Sequence, residues 1–139
     1  MNSNKQYDLA GRVIGCAMAA HRELGAGFCE SVYKNALIQE LDLQKIAVSP
    51  EQKIKVHCEN AVVGEFSADL VVEDKLILEL KSVQNLITAH EVQLVNYLTA
   101  TNINEGLLLN FGTTSLQYKK KFRTYQDADT SCEVSSLQG

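Results

Sequence analysis

Residues 66–81 are FSADLVVEDKLILELK, two apolar arms on either side of a short polar turn. Apolar arms around a polar turn are typical of a β-hairpin. A turn centred on Asp74 places Asp69 directly opposite Glu79, with Cβ atoms roughly 4.5–5.5 Å apart. Because side chains alternate between the two faces of a strand, Lys81 shares a face with Glu79. The hairpin therefore predicts two carboxylates and one ammonium group on a single small patch.

Two carboxylates that face each other across a hairpin indicate a cation site. Directly opposed like charges destabilise a strand pair, and Mg²⁺ or Mn²⁺ removes the repulsion because these ions prefer oxygen ligands. Such an ion can polarise a phosphoryl oxygen and activate water, while Lys81 beside it orients the water or stabilises charge on phosphorus. The alternative is structural, with Asp69 at a solvated strand end and Glu79 paired with Lys81. Spacing alone does not decide between them.

Polar side chains on two predicted helices are further candidates. Glu30 lies in the first turn of the second helix, where a carboxylate also gains simply from the helix dipole. On a later helix, His90, Gln93, Leu94 and Tyr97 form one stripe at helical spacing. This stripe either borders a polar cleft or is ordinary surface. The apolar residues of the same helix, expected to face the sheet, are Val92, Val95 and Leu98.

The rest of the chain predicts an alternation of helices and strands. Helices are predicted over residues 7–24, 28–44 and 88–101. Strands are predicted over residues 52–58, 62–72, 76–81, 106–111 and 116–122. Pro50 marks a turn before the first strand, and the lysines of the last strand indicate a sheet edge. The order α-α-β-β-β-α-β-β predicts an α/β sandwich with a mixed central sheet flanked by helices.

Composition narrows the class of protein. A chain of 139 residues with 45% hydrophobic residues and one proline is neither collagen-like nor wholly disordered, and it suits a single domain. We expect that domain over residues 1–123, followed by a polar, disordered tail over residues 124–139. No apolar run is long enough to span a membrane. No secretory signal is visible, and the four cysteines are widely spaced, so reduced thiols and a cytoplasmic location are expected.

Charge neither supports nor excludes nucleic acid. The formal net charge is −4, and the densest basic run lies at residues 119–123. That run is either a solvated edge strand or a contact for phosphates.

Motifs in two separate parts of the chain resemble those of one known family. GFCESVY at residues 27–33 matches the motif that names the GxxExxY proteins, and HRELGAG at 21–27 and NFG at 110–112 also resemble that family's pattern. The family is assigned to the PD-(D/E)XK nuclease superfamily, near its RecB-like branch, and the similarity extends over residues 7–123. The resemblance implies a restriction-endonuclease-like sandwich and a nuclease that uses Mg²⁺ or Mn²⁺ and acts on DNA rather than RNA.

The resemblance also implies roles for individual residues. The implied metal ligands are Asp69, Glu79, the Leu80 carbonyl and Glu30, the last directly or through water. Lys81 corresponds to the lysine of the E-x-K element and would activate the nucleophile. Gln93 and Tyr97 resemble the Q-x-x-x-Y element, which positions substrate, and His90 fits the GxxExxY pattern without an assigned role. Ala68 stands where the signature has proline, a change in backbone shape and not in chemistry.

A second function class accounts for the same fold. Some members of the superfamily have lost the metal site, so the alternative is a catalytically silent module that binds nucleic acid or a protein partner. A chain this short offers little surface for a duplex, which favours a homodimer or a partner for an active form. Stabilisation by Mn²⁺ through the carboxylates distinguishes the two classes.

Overall fold

The computed structural model describes residues 5–124 and 132–136 of the chain. The helices are α1 (Lys5–Leu24), α2 (Glu30–Leu43) and α3 (Thr88–Thr101). The strands are β1 (Val48–Cys58), β2 (Ala61–Val72), β3 (Leu76–Lys81), β4 (Glu105–Asn110), β5 (Gln117–Phe122) and β6 (Cys132–Ser136). No helix in this part of the chain combines the length and the apolar character needed to cross a membrane.

The described strands form one mixed sheet in the order β5-β4-β3-β2-β1-β6. β3 runs antiparallel to β2 and parallel to β4. Helix α3 connects the two parallel strands, because a parallel pair needs a long crossover connection. The α/β sandwich with a mixed central sheet is therefore confirmed, as is the position of the lysine-rich strand β5 at an edge.

Helices cover both faces of the sheet. Leu78 and Leu80 of β3 pack in the cluster formed with α1 and α2, whereas Ile77 packs in the cluster formed with α3. Since side chains alternate along a strand, Glu79 and Lys81 point to the face that carries α3. The hairpin thus delivers its charged residues to one side of the sheet, as the sequence predicts.

Strand β1 begins earlier than expected, and Pro50 lies inside it, paired with Leu70 of β2. The predicted turn at Pro50 is therefore wrong. β6 pairs with β1 only between Ile54 and Cys58, so among the described residues the edge of β1 beside Pro50 has no further strand. A proline is tolerated on such an edge because its missing N–H removes no ladder hydrogen bond there.

Strand β6 falls within the segment expected to be a disordered tail. Residues 132–136 pair antiparallel with β1, from Cys132 opposite Cys58 to Ser136 opposite Ile54. Their sequence, CEVSS, has too few apolar residues to indicate a strand by burial, so backbone pairing defines the element. The other parts of the expected tail, residues 125–131 and 137–139, lie outside the described residues.

The cysteines are not all reduced. Cys58 is disulfide-bonded, whereas Cys16 and Cys29 carry free thiols. The expectation of reduced thiols throughout is therefore wrong at Cys58.

Candidate active site

The β2–β3 hairpin has the predicted register near its turn. Leu70 faces Leu78 and Val72 faces Leu76, which centres the turn on Asp74. Asp74 and the residue before it adopt left-handed backbone angles, with φ of 56° at Asp74, and polar residues tolerate these angles best in tight turns. The polar turn and the apolar arms therefore fold as their sequence indicates.

The two strands diverge where the predicted carboxylates lie. The described β2–β3 ladder ends at the Leu70–Leu78 pair. Beyond this pair, backbone N–H groups of the two strands donate to side chains of the opposite strand. The N–H of Asp69 donates to Oε1 of Glu79 at 3.1 Å, and the N–H of Leu80 donates to Oδ2 of Asp69 at 2.9 Å. Each carboxylate is thus held by a backbone donor of the opposite strand, and the pair occupies the gap between the strands.

Glu79 is a buried acid in an unfavourable electrostatic environment. Its side chain lies on the α3 face, and the residue is only 5% exposed. Burial and, second, the negative charge of Asp69 raise the pKa of Glu79 to about 8, although Lys81 acts in the opposite direction. No ion pair joins Lys81 to a carboxylate in the described part of the chain. The purely structural pairing of Glu79 with Lys81 is therefore not formed.

The donor set at the hairpin gap suits a hard divalent cation. Besides the two backbone bonds, the side chains of Asp69 and Glu79 interact with each other, and this contact adds to the raised pKa of Glu79. The N–H of Leu80 points toward β2, and in an extended strand the carbonyl of the same residue points to the same side. Asp69, Glu79 and the Leu80 carbonyl therefore turn oxygen atoms toward one gap, and oxygen is the ligand that Mg²⁺ and Mn²⁺ prefer.

In the part of the chain that the structure describes, no third acidic side chain joins this pair. Among the described residues, no group of three or more His, Cys, Asp or Glu side chains lies close enough together to hold an ion. Glu30 is the first residue of α2 and is exposed. The structure thus brings Asp69 and Glu79 together and leaves Glu30 outside their immediate group.

Tyr33, the last residue of the GFCESVY motif, has a structural position. It is fully buried, and its ring stacks on Phe111 with ring centroids 4.6 Å apart. Its hydroxyl donates to the carbonyl of Gly25 and accepts from the N–H of Phe28 at 3.2 Å. Tyr33 therefore fixes the loop between α1 and α2, which leads directly to Glu30 at the start of α2.

Helix α3 brings a tyrosine to the carboxylates. Tyr97 is 8% exposed and stacks on Phe66 of β2, with ring centroids 4.0 Å apart. Burial, followed by the charges of Glu79 and Asp69, raises the pKa of Tyr97 to about 12. The hydroxyl of Tyr97 is therefore within electrostatic range of the carboxylate pair. Phe66, on which the tyrosine ring stacks, is a site residue that the sequence alone did not indicate. The signal for Phe66 was its position at the start of the apolar arm that carries Asp69.

The predicted division of α3 into two stripes is partly wrong. The buried residues are Leu94, Tyr97, Leu98 and Ala100, whereas Val92, expected to face the sheet, is 52% exposed. Gln93 is exposed at the rim of a groove that also includes Phe66 and Tyr97. The helix is turned so that the tyrosine ring packs on the sheet, because an aromatic ring buries more apolar area than valine.

His90 closes the first turn of α3. Its ring Nδ1 accepts a hydrogen bond from the backbone N–H of Ile87 at 3.2 Å, and the backbone N–H of His90 donates to the carbonyl of Ile87. Free N–H groups at a helix start need such partners. His90 is thus a capping residue in this structure.

The basic run on β5 is paired with acids. Lys119 and Lys121 both donate to Glu91 of α3, at 2.8 and 3.0 Å, and Lys120 lies 3.7 Å from Glu105. These hydrogen bonds hold the pKa of Glu91 below its ordinary value. The pairing favours the interpretation of this run as an edge strand that also docks α3.

Comparison with known proteins supplies the family. A family model described as the PD-(D/E)XK nuclease superfamily matches residues 7–123, which include the hairpin, its carboxylates and α3. Comparisons with curated proteins and with solved structures return no match. Because the family model covers most of the sequence, this chain belongs to the PD-(D/E)XK nuclease superfamily.

Proposed function

We propose that this chain is a nuclease that hydrolyses phosphodiester bonds of DNA with Mg²⁺ or Mn²⁺ as cofactor. One observation carries the proposal: Asp69 and Glu79 meet in the gap between β2 and β3, and among the described residues no ion pair joins either of them to a basic side chain. Placing the buried Glu79 beside a second carboxylate is costly to a fold, and a cation bound by both carboxylates would offset this cost. Membership of a nuclease superfamily supports the same chemistry.

In this proposal Asp69, Glu79 and the Leu80 carbonyl hold the ion, and Glu30 completes the set through water. When bound, the ion polarises a phosphoryl oxygen and lowers the pKa of its water. Lys81 orients the attacking water and stabilises the charge that develops on phosphorus. Gln93 at the groove rim and Tyr97 beside the carboxylates position the substrate.

Three further assignments belong to the proposal. Membership of the GxxExxY family and of the RecB-like branch rests on residues 27–33 and on the Gln93–Tyr97 spacing. DNA as the substrate is part of the same proposal, and cleavage of RNA instead is one outcome of the second experiment below. The cytoplasmic location and a homodimer or protein partner stay predictions.

The first experiment measures thermal unfolding in metal-free buffer with and without Mn²⁺. It compares the wild type with the double variant Asp69→Asn/Glu79→Gln, which keeps the size of both side chains. A wild-type site gains about 2.7 kcal/mol at a hundredfold excess of ion over its dissociation constant, and the double variant gains nothing. If neither protein responds, the metal site is refuted and the silent binding module becomes the better account.

A second experiment follows cleavage of single- and double-stranded DNA and RNA. Lys81→Met keeps the long apolar stem but removes the ammonium group, so we expect it to retain the Mn²⁺ response and to cleave only at a slow residual rate. Lys75→Met, on the exposed turn of the same hairpin, is the matched control and should cleave like the wild type. Full activity in Lys81→Met would refute the role assigned to Lys81.

A further inference from the structure

The end of β4 carries a buried side-chain amide whose hydrogen bonds are all satisfied. Asn110 is completely buried. Its Oδ1 accepts from the N–H groups of Val83 and Gly112, at 3.0 and 3.1 Å, and its Nδ2 donates to the carbonyl of Val83 at 3.0 Å and to Oε1 of Gln117 at 2.9 Å. Two accepted and two donated bonds use the full capacity of an amide. A buried polar group so fully bonded specifies one arrangement of its neighbours.

The neighbours that Asn110 specifies are the residues immediately after β3. Asn110 is the β4 partner of Lys81 in the parallel register, and the N–H of Phe111 donates to the carbonyl of Lys81 at 2.8 Å. The side chain of Asn110 then takes both polar backbone groups of Val83. We call this set of bonds, from Asn110 and Phe111 to residues 81–83, the Asn110 clamp.

Gly112 makes the clamp sterically possible. A Cβ atom at Gly112 would collide with the backbone of Ser82 and Val83. Only glycine therefore allows the chain after β4 to lie this close to the chain after β3. The NFG motif thus combines an amide that bonds Val83 with a glycine that makes room for it.

The clamped segment, residues 81–83, contains or contacts the parts of the candidate site that lie outside the Asp69–Glu79 pair. Lys81 is its first residue, and Oγ of Ser82 donates to the carbonyl of Phe28 at 2.7 Å. Phe28 lies two residues before Glu30, so the same segment also holds the start of α2. Asp69 and Glu79, by contrast, are held by hydrogen bonds within the hairpin.

We propose that Asn110 is a positioning residue of this nuclease, which fixes Lys81 and Glu30 relative to the Asp69–Glu79 pair without touching ion or substrate. The inference rests on the proposed function. It predicts that disturbing the clamp lowers the rate of the chemical step and leaves the carboxylate pair able to bind its ion. A displacement of a reacting group by about 1 Å costs on the order of 100-fold in rate.

The test uses Asn110→Asp, which keeps the shape and both accepted bonds but removes both donated bonds. The matched control is Gln117→Ala, which removes the exposed partner of the same amide and leaves the bonds to Val83 intact. In Asn110→Asp we expect the turnover number for DNA to fall on the order of 100-fold, with KM and the Mn²⁺-induced rise in melting temperature unchanged. Gln117→Ala should match the wild type in all three.

A double-mutant cycle separates positioning from general destabilisation. If Asn110 acts through Lys81, Asn110→Asp has little further effect on turnover in the Lys81→Met background, since the group it positions is already absent. A turnover loss that is equally large in both backgrounds would overturn the proposal. So would wild-type turnover in Asn110→Asp.

Two further measurements decide the remaining outcomes. If Asn110→Asp does not fold, the test uses Ser82→Ala, which removes only the bond to Phe28. This substitution should lower turnover when it is made in the wild type but not when it is made in a Glu30→Ala variant. Equal losses in the two backgrounds would overturn the proposal. Amide hydrogen exchange at Val83 reports the clamp without any activity: exchange should be at least about tenfold faster in Asn110→Ala, which removes the acceptor of the Val83 N–H, than in the wild type. Slow exchange in the wild type with an absent Mn²⁺ response would refute the proposed function, whereas unchanged exchange in Asn110→Ala would refute the clamp.

Discussion

Replacing Glu79 by glutamine should stabilise the metal-free protein, increasingly so at higher pH. The variant keeps an acceptor for the N–H of Asp69 but cannot ionise. Glu79 has its pKa raised from an ordinary 4.5 to about 8 by burial and by Asp69. Between these two values the unfolded chain has released the proton and the folded chain retains it, so the stability of the wild type falls as pH rises and levels off above about pH 8.

The expected size follows from the same two pKa values. At about 1.4 kcal/mol for each pH unit between them, the full effect is on the order of 5 kcal/mol. Most of this, on the order of 3 kcal/mol, should develop between about pH 5 and pH 8. Glu79→Gln should lack this part of the pH dependence while losing the response to Mn²⁺.

The assay is urea unfolding in metal-free buffer at a series of pH values. Glu65→Gln, an exposed glutamate on the same strand as Asp69, is the matched control and should follow the wild-type curve. Equal pH slopes in the wild type and in Glu79→Gln would refute the account of a strained carboxylate pair. A less stable Glu79→Gln at about pH 8 would refute it as well.

Two other perturbations test the surroundings of the site. Tyr33→Phe removes the hydroxyl that bonds Gly25. In urea unfolding it should lower the free energy of unfolding by about 1 kcal/mol and retain the Mn²⁺ response. An unchanged free energy of unfolding would contradict the role of that hydroxyl. Alkylation of the denatured, non-reduced protein should modify Cys16 and Cys29 but leave Cys58 unmodified until a reductant is added. Mass mapping identifies the modified cysteines, and alkylation of Cys58 without reductant would contradict the disulfide.

The carboxylate pair could be predicted because it depends on local sequence. Asp69 and Glu79 are ten residues apart, and a tight turn with alternating arms fixes which residues face each other. The same reasoning could not show that the strands diverge at Asp69, since the ladder is replaced there by bonds from the side chains themselves. It also could not predict burial of Tyr97, which depends on the stack with Phe66 from a distant strand.

The sequence did not predict the strand structure at Pro50 or at β6, and the physical reason is similar for both. Pro50 was expected in a turn on its local preference, yet it lies in β1 where β6 does not reach. β6 itself has no hydrophobic pattern, and only its backbone pairing with β1 reveals it. In each case a partner far along the chain determines the structure, and a pattern read within one segment contains no information about that partner.

The site therefore has two layers with different origins. The ligands of the proposed ion belong to one hairpin, and their mutual bonds span only ten or eleven positions. The residues around them depend on distant contacts: the Asn110–Val83 bonds span 27 positions, and the Ser82–Phe28 bond spans 54. A substitution in the second layer can thus move Lys81 or Glu30 without disturbing the ion ligands. Loss of Mn²⁺ binding and loss of turnover should accordingly map to different residues, with the division between them at the end of β3.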